Sequence, residues 1–492
     1  VVRVGGIVLD DAVARAWVAG AHDALSRARE RIDAVNVFPV PDSDTGTNVL
    51  LTVAGGARAV DDARPGPGAD AVLAAFARGC LRSARGNSGV IVSQYVAGFA
   101  RRVGAAADAT QVAAALGSAA RAARQAMADP QEGTVLTLAD AVADAAAEAA
   151  AASAPLPALL AQVLDDARAS LGDISSRHPV LRRSGVLDAG ACALLVVLDA
   201  LAGAVAGRHP GLGWLPAVGF EEQTVQHGDG GAYEVMLLVR VPQDAEVAGP
   251  LRSALGAVGD SVAVVGDRDW LHVHVHTDDP AAAIAACVVG RREQAVVRLV
   301  EGGHGQSADE PAWGVVVCTR APALAAWYAA TGAVALVACP EEPLRAEHVA
   351  RAVADAGGAR VLLVPGDAVD DAVLAEVAAV HGDGVRVAPA RGELEAVVAT
   401  LASVSSADPA AGARDALTRL RVVASVGDAG VDVVADAVAG IDGIDGGESL
   451  TVLHREAFDD DMRARVLAAA GDREVAFVGP TGRGPLVVVG VD

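Results

Sequence analysis

At 492 residues the chain is longer than one hydrophobic core supports, and about two to four domains are expected. A net charge of −23 excludes nucleic acid or an anionic membrane held by bulk electrostatics. All 39 basic residues are arginine, which removes a Walker-A lysine, a kinase strand lysine and lysine Schiff-base chemistry.

Residues 1–207 read as a helical domain. Ala-rich segments with a 3.6-residue period cover 11–29, 69–83, 105–127, 138–152, 155–171 and 190–207, and loops are expected at 64–68 and 129–130. Hydrophobic residues make up 52% of the chain but aromatics only 3%, so the cores must be built from small aliphatic side chains. No apolar run is read as membrane-spanning and no basic-then-apolar leader is seen. The five cysteines are scattered without a C-x-x-C pair, which argues against disulfides and fits a reducing, cytoplasmic setting.

Four Gly- and polar-rich segments in this region each open a helix. The first is Asn36-Val37-Phe38-Pro39-Val40-Pro41-Asp42-Ser43-Asp44-Thr45-Gly46-Thr47-Asn48. Two carboxylates one residue apart in such a bend can hold Mg²⁺ beside a helix N-terminus that receives phosphate oxygens. Asp42 and Asp44 are the expected metal ligands, with Asn36 or Asn48 as a neutral oxygen donor and Thr45, Gly46 and Thr47 at the helix start. Taken alone, an Asp-x-Asp is more often an acidic surface turn with an N-cap. The second segment is Ala84-Arg85-Gly86-Asn87-Ser88-Gly89, where glycines let backbone N–H groups approach a phosphate. The third begins Glu132-Gly133-Thr134, and the fourth runs Ser184-Gly185-Val186-Leu187-Asp188-Ala189-Gly190, with Asp188 placed to line an adenine. In an antiparallel helical barrel alternate loops meet at one end, and such a ring could surround ATP. With no lysine available, metal, backbone N–H groups and arginine must meet the phosphate charge.

Residues 213–305 suggest a small α/β domain with strands at 233–241, 261–265 and 271–276. His272, His274 and His276 alternate and so face one way along a strand. They suit a zinc ion if a third ligand is near, or an interface at which the row packs. Residues 312–492 alternate short strands (313–318, 333–339, 361–364, 385–388) with helices, predicting a C-terminal α/β domain with a mainly parallel sheet. Further strands are expected at 448–454, 474–478 and 485–491, and loops at 408–412 and 440–447.

The motifs at 36–48 and 84–90, together with 259–267 and 274–280, resemble the ATP-binding subunit of bacterial fatty-acid kinases, whose N-terminal domain is similar to the L subunit of dihydroxyacetone kinases. The resemblance fades after Trp313. It implies an antiparallel helical barrel binding Mg–ATP, with metal ligands at Asp42 and Asp44 and Asn36 where the L subunit has an upstream Asp. It further implies phosphate contacts at Asn87 and Ser88, a helix start at Gly133 and Thr134, and the Asp-Ala-Gly element at Asp188 to Gly190. Ser43 replaces the usual Gly between the aspartates. The implied acceptor is a fatty acid on a separate fatty-acid-binding carrier protein, giving an acyl phosphate, and a homodimer through the middle region is implied as well. A carboxylate acceptor is already ionised at neutral pH and needs no general base.

In that family a Cys completes a metal site with the histidines matching His274 and His276. Tyr233 stands at that position here, leaving His227, Glu234 or Asp278 as substitutes. The family's polar C-terminal loops are replaced by Ala338-Cys339-Pro340-Glu341-Glu342-Pro343, Pro365-Gly366-Asp367 and Pro480-Thr481-Gly482-Arg483-Gly484-Pro485. That divergence keeps open a nucleotide-binding regulatory or scaffold protein without turnover. A dihydroxyacetone-type kinase ranks last, because the covalent His of that chemistry is not found.

Overall fold

A computed structural model describes residues 7–491 apart from 39–42, 64–67, 217–230, 243–246, 301–312, 428–432 and 443–445. Asp42, His227 and most of the loop expected at 64–68 therefore lie outside the described residues.

The first half is helical, as its periodicity requires: α1 (Asp11–Asp33), α2 (Thr45–Asp62), α3 (Ala69–Arg82), α4 (Gly86–Ala100), α5 (Ala109–Ala126), α6 (Val135–Ala151), α7 (Leu156–Arg177), α8 (Pro179–Ser184) and α9 (Ala189–Ala206). From α1 to α7 each helix packs against the next, and α9 packs against α1 and α7, so the contacts run in a closed circuit. Ala-rich faces permit this close approach, and a few large side chains fill the centre. Trp17 meets Phe76 and Phe99 edge-on at 6.1 and 5.1 Å and donates its indole N–H to the Val197 carbonyl at 3.0 Å.

The reading that no apolar run could span a membrane needs correction. Ala189–Ala206 has a mean hydropathy of 2.1 over 18 residues, long and apolar enough by that measure, yet 89% of it is buried inside the protein. An apolar helix covered on every side is a core helix.

The second half departs from expectation in its sheet. Strands β1 (Tyr233–Arg240), β2 (Asp260–Gly266), β3 (Trp270–Thr277), β4 (Arg291–Leu299), β5 (Trp313–Thr319), β6 (Val334–Val337), β7 (Arg360–Val364) and β8 (Val385–Val387) form one sheet in the order β2-β3-β1-β4-β6-β5-β7-β8. The first four strands pair antiparallel, β4 pairs antiparallel with β6, and β6-β5-β7-β8 are parallel. The sheet is mixed rather than mainly parallel, because β4 joins the two sets edge to edge. A second mixed sheet, β11-β10-β12-β9, is made from β9 (Arg421–Val426), β10 (Ser449–His454), β11 (Glu474–Val478) and β12 (Val487–Val491). The loop expected at 408–412 is instead the start of a helix, Pro409–Arg419. Asp408 caps it and Pro409 occupies its first turn, the arrangement proline tolerates best. The loop expected at 440–447 overlaps the end of another helix, Val433–Asp442.

One face of β2 and β3 lies against α3, α4 and α5. Leu81, Ala84, Val90 and Ala126 from the helical half and Ala263 and Val265 from β2 form a small shared core there. This places the histidine strand beside the start of α4.

Candidate active site

The bend before α2 is organised by a residue outside the Asp-x-Asp motif. Asp33, last in α1, accepts from the backbone N–H of Gly46 and Thr47 through Oδ1 at 2.6 and 3.0 Å, and from the Thr47 hydroxyl through Oδ2 at 2.8 Å. It thereby caps α2 from outside. Burial pushes its carboxyl up to about 6, against the bonds from Thr47 and Gly46. Asn36 is buried, and its amide oxygen accepts the Thr45 hydroxyl at 2.6 Å, with the Ser88 hydroxyl 3.3 Å from Thr45. The first and second loops are thus joined through Thr45.

Asp44 has both carboxylate oxygens engaged. Asn48 Nδ2 donates to Oδ1 at 2.8 Å, and Arg298 Nη2 donates to Oδ2 at 2.8 Å. Of the two asparagines expected as metal ligands, Asn36 is turned to Thr45 and Asn48 presents its amide nitrogen to Asp44.

The start of α4 differs from that of α2. It has no side-chain cap, so the N–H groups of its first turn are not satisfied that way. Gly86 has φ +55°, and a Cβ there would come within 2.5 Å of Asn48 Nδ2. The backbone reaches this position only because residue 86 is glycine. Asn87 Oδ1 is buried without a hydrogen-bond partner. Arg85 turns away: its guanidinium pairs with Asp355 of the helix Ala346–Ala356 and donates to the Ala84 carbonyl.

The third and fourth loops meet each other. Asp188 is buried and accepts from Ala191 N at 2.7 Å and from Val135 N, so one carboxylate caps both α9 and α6. Burial raises it to about 6 in spite of those bonds. Gly133, at φ +81°, lies tight against the His178 backbone, Thr134 caps α6 through Leu136 N, and Gly190 packs beside Val135. His178 in turn lies 4.0 Å from the Phe38 ring, which ties this pair of loops to the first. The four segments therefore stand at one end of the helical half.

On the sheet, Arg298 of β4, Glu234 of β1, His276 of β3 and Asp260 of β2 lie directly opposite one another in a single cross-strand row. The next row on that face is Val296, Met236, His274 and Ala263. Arg298 Nε donates to Glu234 Oε2, and Glu234 Oε1 is 3.1 Å from His274 Nδ1. Burial would raise the Glu234 carboxyl, but the Arg298 guanidinium and His274 outweigh it and hold the group well below the usual range. His272 and His276 are pushed down to about 3 and about 4, first by burial. The row does pack at an interface, against α3 and α4. Tyr233 pairs with Thr277 and so falls on the opposite face, which makes Glu234 rather than position 233 the partner of the histidines. Glu234, His274 and His276 hold ligand atoms within 4.8 Å of one another, and His274 Nε2 is buried without a hydrogen-bond partner.

Residues 39–203 match the family model of the DAK2 domain, and residues 230–296 match the model of the middle domain of FakA-like fatty acid kinase proteins. The chain thus carries a helical DAK2 domain followed by a FakA-like middle domain, in line with the resemblance read from its motifs. It is 33% identical over 278 residues to Protein YloV of Bacillus subtilis (strain 168), covering 54% of this chain and 50% of that protein. It is 31% identical over 271 residues to an uncharacterized protein of Staphylococcus saprophyticus, covering 52% and 49%. The chain spans about half the length of the curated relatives it matches. Among solved structures, the dihydroxyacetone kinase from C. freundii in complex with AMP-PNP and Mg²⁺ aligns at a TM-score of 0.29 and 17% identity, over 41% of this chain and 35% of that one.

Proposed function

We propose that the helical half binds Mg–ATP at the four-loop end and that the chain is a kinase subunit transferring the γ-phosphoryl group. The observation that carries this reading is the pairing of Asp44 with an uncapped α4 N-terminus, in which Gly86 admits the backbone and Asn87 Oδ1 is left without a partner. These features fit a hard cation with phosphate oxygens beside it. Asp44, with Asp42 from the bend, would hold Mg²⁺, which when bound neutralises charge on the β- and γ-phosphates. Gly86, Asn87, Ser88 and Gly89 would take phosphate oxygens through their N–H groups and side chains. Thr45 to Asn48 shape the wall, while Gly133, Thr134, Asp188 and Gly190 buttress the far side, with Asp188 holding two helices in register.

The acceptor we favour is the carboxylate of a fatty acid presented by a separate lipid-carrier protein, as the YloV likeness and the FakA-like middle domain suggest. Measuring Mg–ATP binding and acyl-phosphate formation with such a carrier tests it. Asp44→Ala should abolish both, and unaltered Mg–ATP affinity in that variant would refute the site. A nucleotide-binding scaffold without turnover is the reading left if ATP binds and no phosphoryl group moves. The donor set Glu234, His274 and His276 fits a Zn²⁺-type ion as a separate, structural site. Metal content of the purified protein should fall with His276→Ala; no metal in the parent would dismiss this second site.

A further inference from the structure

The phosphate end has a cation problem. With no lysine in the chain, a permanent side-chain positive charge at the γ-phosphoryl must come from arginine, and burial lowers His178, the histidine beside the first loop. Arg85, the arginine in the phosphate loop itself, is committed to Asp355 and the Ala84 carbonyl. The guanidinium that does reach the bend comes from 254 residues away in sequence: Arg298, on the middle strand β4, donates to Asp44 Oδ2 at 2.8 Å. It is anchored behind by Glu234, directly opposite on β1, which accepts its Nε–H.

We propose that Arg298 is a catalytic arginine that the sheet supplies to the helical half, an inference that rests on the Mg–ATP reading. In the structure its Nη2 supplies the positive charge that Asp44 faces. Asp44 would hold the cation through a carboxylate that now accepts from Arg298 Nη2, which would free that N–H. Glu234 keeps the guanidinium in place through Nε, so Nη2 would be free to turn from Asp44 to a γ-phosphoryl oxygen. The planar fork makes this exchange available to arginine, which can hold a carboxylate on one edge and a phosphate on the other. As the acceptor oxygen bonds to the γ-phosphorus, the bond from that phosphorus to the β–γ bridging oxygen breaks and ADP leaves with the electron pair. A carboxylate acceptor gives up no proton. Negative charge on the transferring oxygens is what Arg298 meets.

The test uses the full chain with Mg–ATP and Mg–ADP as probes, following binding by calorimetry and slow γ-phosphate release to water with radiolabelled ATP. Arg298→Ala should weaken Mg–ATP selectively, leave Mg–ADP affinity within about twofold, and slow phosphate release by about 10²–10³-fold. Millimolar guanidinium should restore about tenfold of that loss, a rescue that a merely structural role would not show. Should the alanine variant fail to fold, Arg298→Lys retains the charge but lacks the fork, and the same selective loss is expected. Parent-like rate and ATP-over-ADP preference in both variants overturns the assignment. So does tighter Mg–ATP binding with undiminished release, which would make Arg298 a mere stand-in for the metal. Asp44→Asn separates the two claims. If it keeps Mg–ATP affinity, the nucleotide site itself is wrong; if it loses it while the Arg298 variants behave as the parent, only Arg298 is wrong.

Discussion

Two buried carboxylates of the helical half, Asp33 and Asp188, are held by backbone N–H groups, whereas Glu234 and Glu293 of the sheet half are held by arginines, as Asp199 of α9 also is. Asp33 and Asp188 sit on helix N-termini and accept two or more hydrogen bonds each, yet burial still raises both to about 6. In the sheet half, Glu234 is held low by Arg298, while burial drives His272 to about 3 and His276 and, on the helix Ala346–Ala356, His348 to about 4. A helix end offers partial charge without a mobile counter-ion, so it orders a carboxylate without fully repaying its desolvation. A cross-strand arginine brings a whole charge that can also be redirected. The helical half is therefore suited to framing a phosphate site, and the sheet half to supplying the group that responds to it.

The largest effect should come from breaking the arginine arrangement. Glu234→Ala leaves Arg298 without its anchor and should cost about 3–5 kcal/mol in urea unfolding. A loss under about 1 kcal/mol would mean that the row contributes little to stability and that the contrast between the halves fails.

Acid should next weaken the sheet half. His348, buried at the contact between β4 and the helix Ala346–Ala356, is lowered from 6.5 to about 4, by burial first and then by Arg351 and Arg345. Its unfolded form binds the proton more readily, so its contribution is complete above about 6.5 and lost as pH falls toward 4. His348→Gln should flatten that part of the stability profile by up to about 3 kcal/mol. An unchanged acid limb would show that the imidazole is not held neutral.

Much of this is legible in the sequence, and the parts that are not share a cause. The helices of the first half and the loops that open them follow from a 3.6-residue period broken by Gly, Asp and Pro, all local signals. Asp33 is hidden because it completes the amphipathic pattern of α1, three residues before the motif begins. Strand β4 escapes the pattern because a register shift opposite Leu238 and Val239 breaks its alternation and both faces carry polar groups: Arg291, Gln294 and Arg298, opposite Arg240, Leu238 and Glu234, on one, and Arg292, opposite Val239, on the other. No clean alternation survives there, and the pairings that satisfy them, Glu293 with Arg240 and Arg345 for example, are remote in sequence. The Asp408-Pro409 helix start is readable, since an Asp N-cap before a first-turn proline is a local signature. The link from Asp44 to Arg298 has no local signal at all.

Asp188 gives the opposite pH slope to His348. Its folded value of about 6 lies above the ordinary 3.8, so its contribution is full below about 3.8 and disappears as pH rises through 6. Comparing Asp188→Asn with the parent, the stability difference should shift by on the order of 2–3 kcal/mol in the variant's favour between pH 4 and 7. Parallel profiles would refute the raised value and remove one side of the comparison.

The smallest change tests whether the helix ends are shaped for a ligand or merely for packing. Gly86→Ala must place a Cβ at φ +55° and within 2.5 Å of Asn48 Nδ2, whereas Gly190→Ala meets its nearest neighbours, Asp188 Oδ1 and Val135, at 3.3 Å without a left-handed backbone. The first should cost about 1–2 kcal/mol of stability and the second under about 0.5. The more telling measurement is Mg–ATP affinity, because Asn48 is the amide that holds Asp44. Gly86→Ala should weaken binding well beyond its stability cost, since displacing Asn48 disturbs the proposed metal ligand, while Gly190→Ala, on the far side and with more room for a Cβ, should weaken it far less. Equal affinities in the two variants would mean that the approach of residues 86 and 48 serves helix packing alone, and the contrast between a framing half and a responding half would lose its first term.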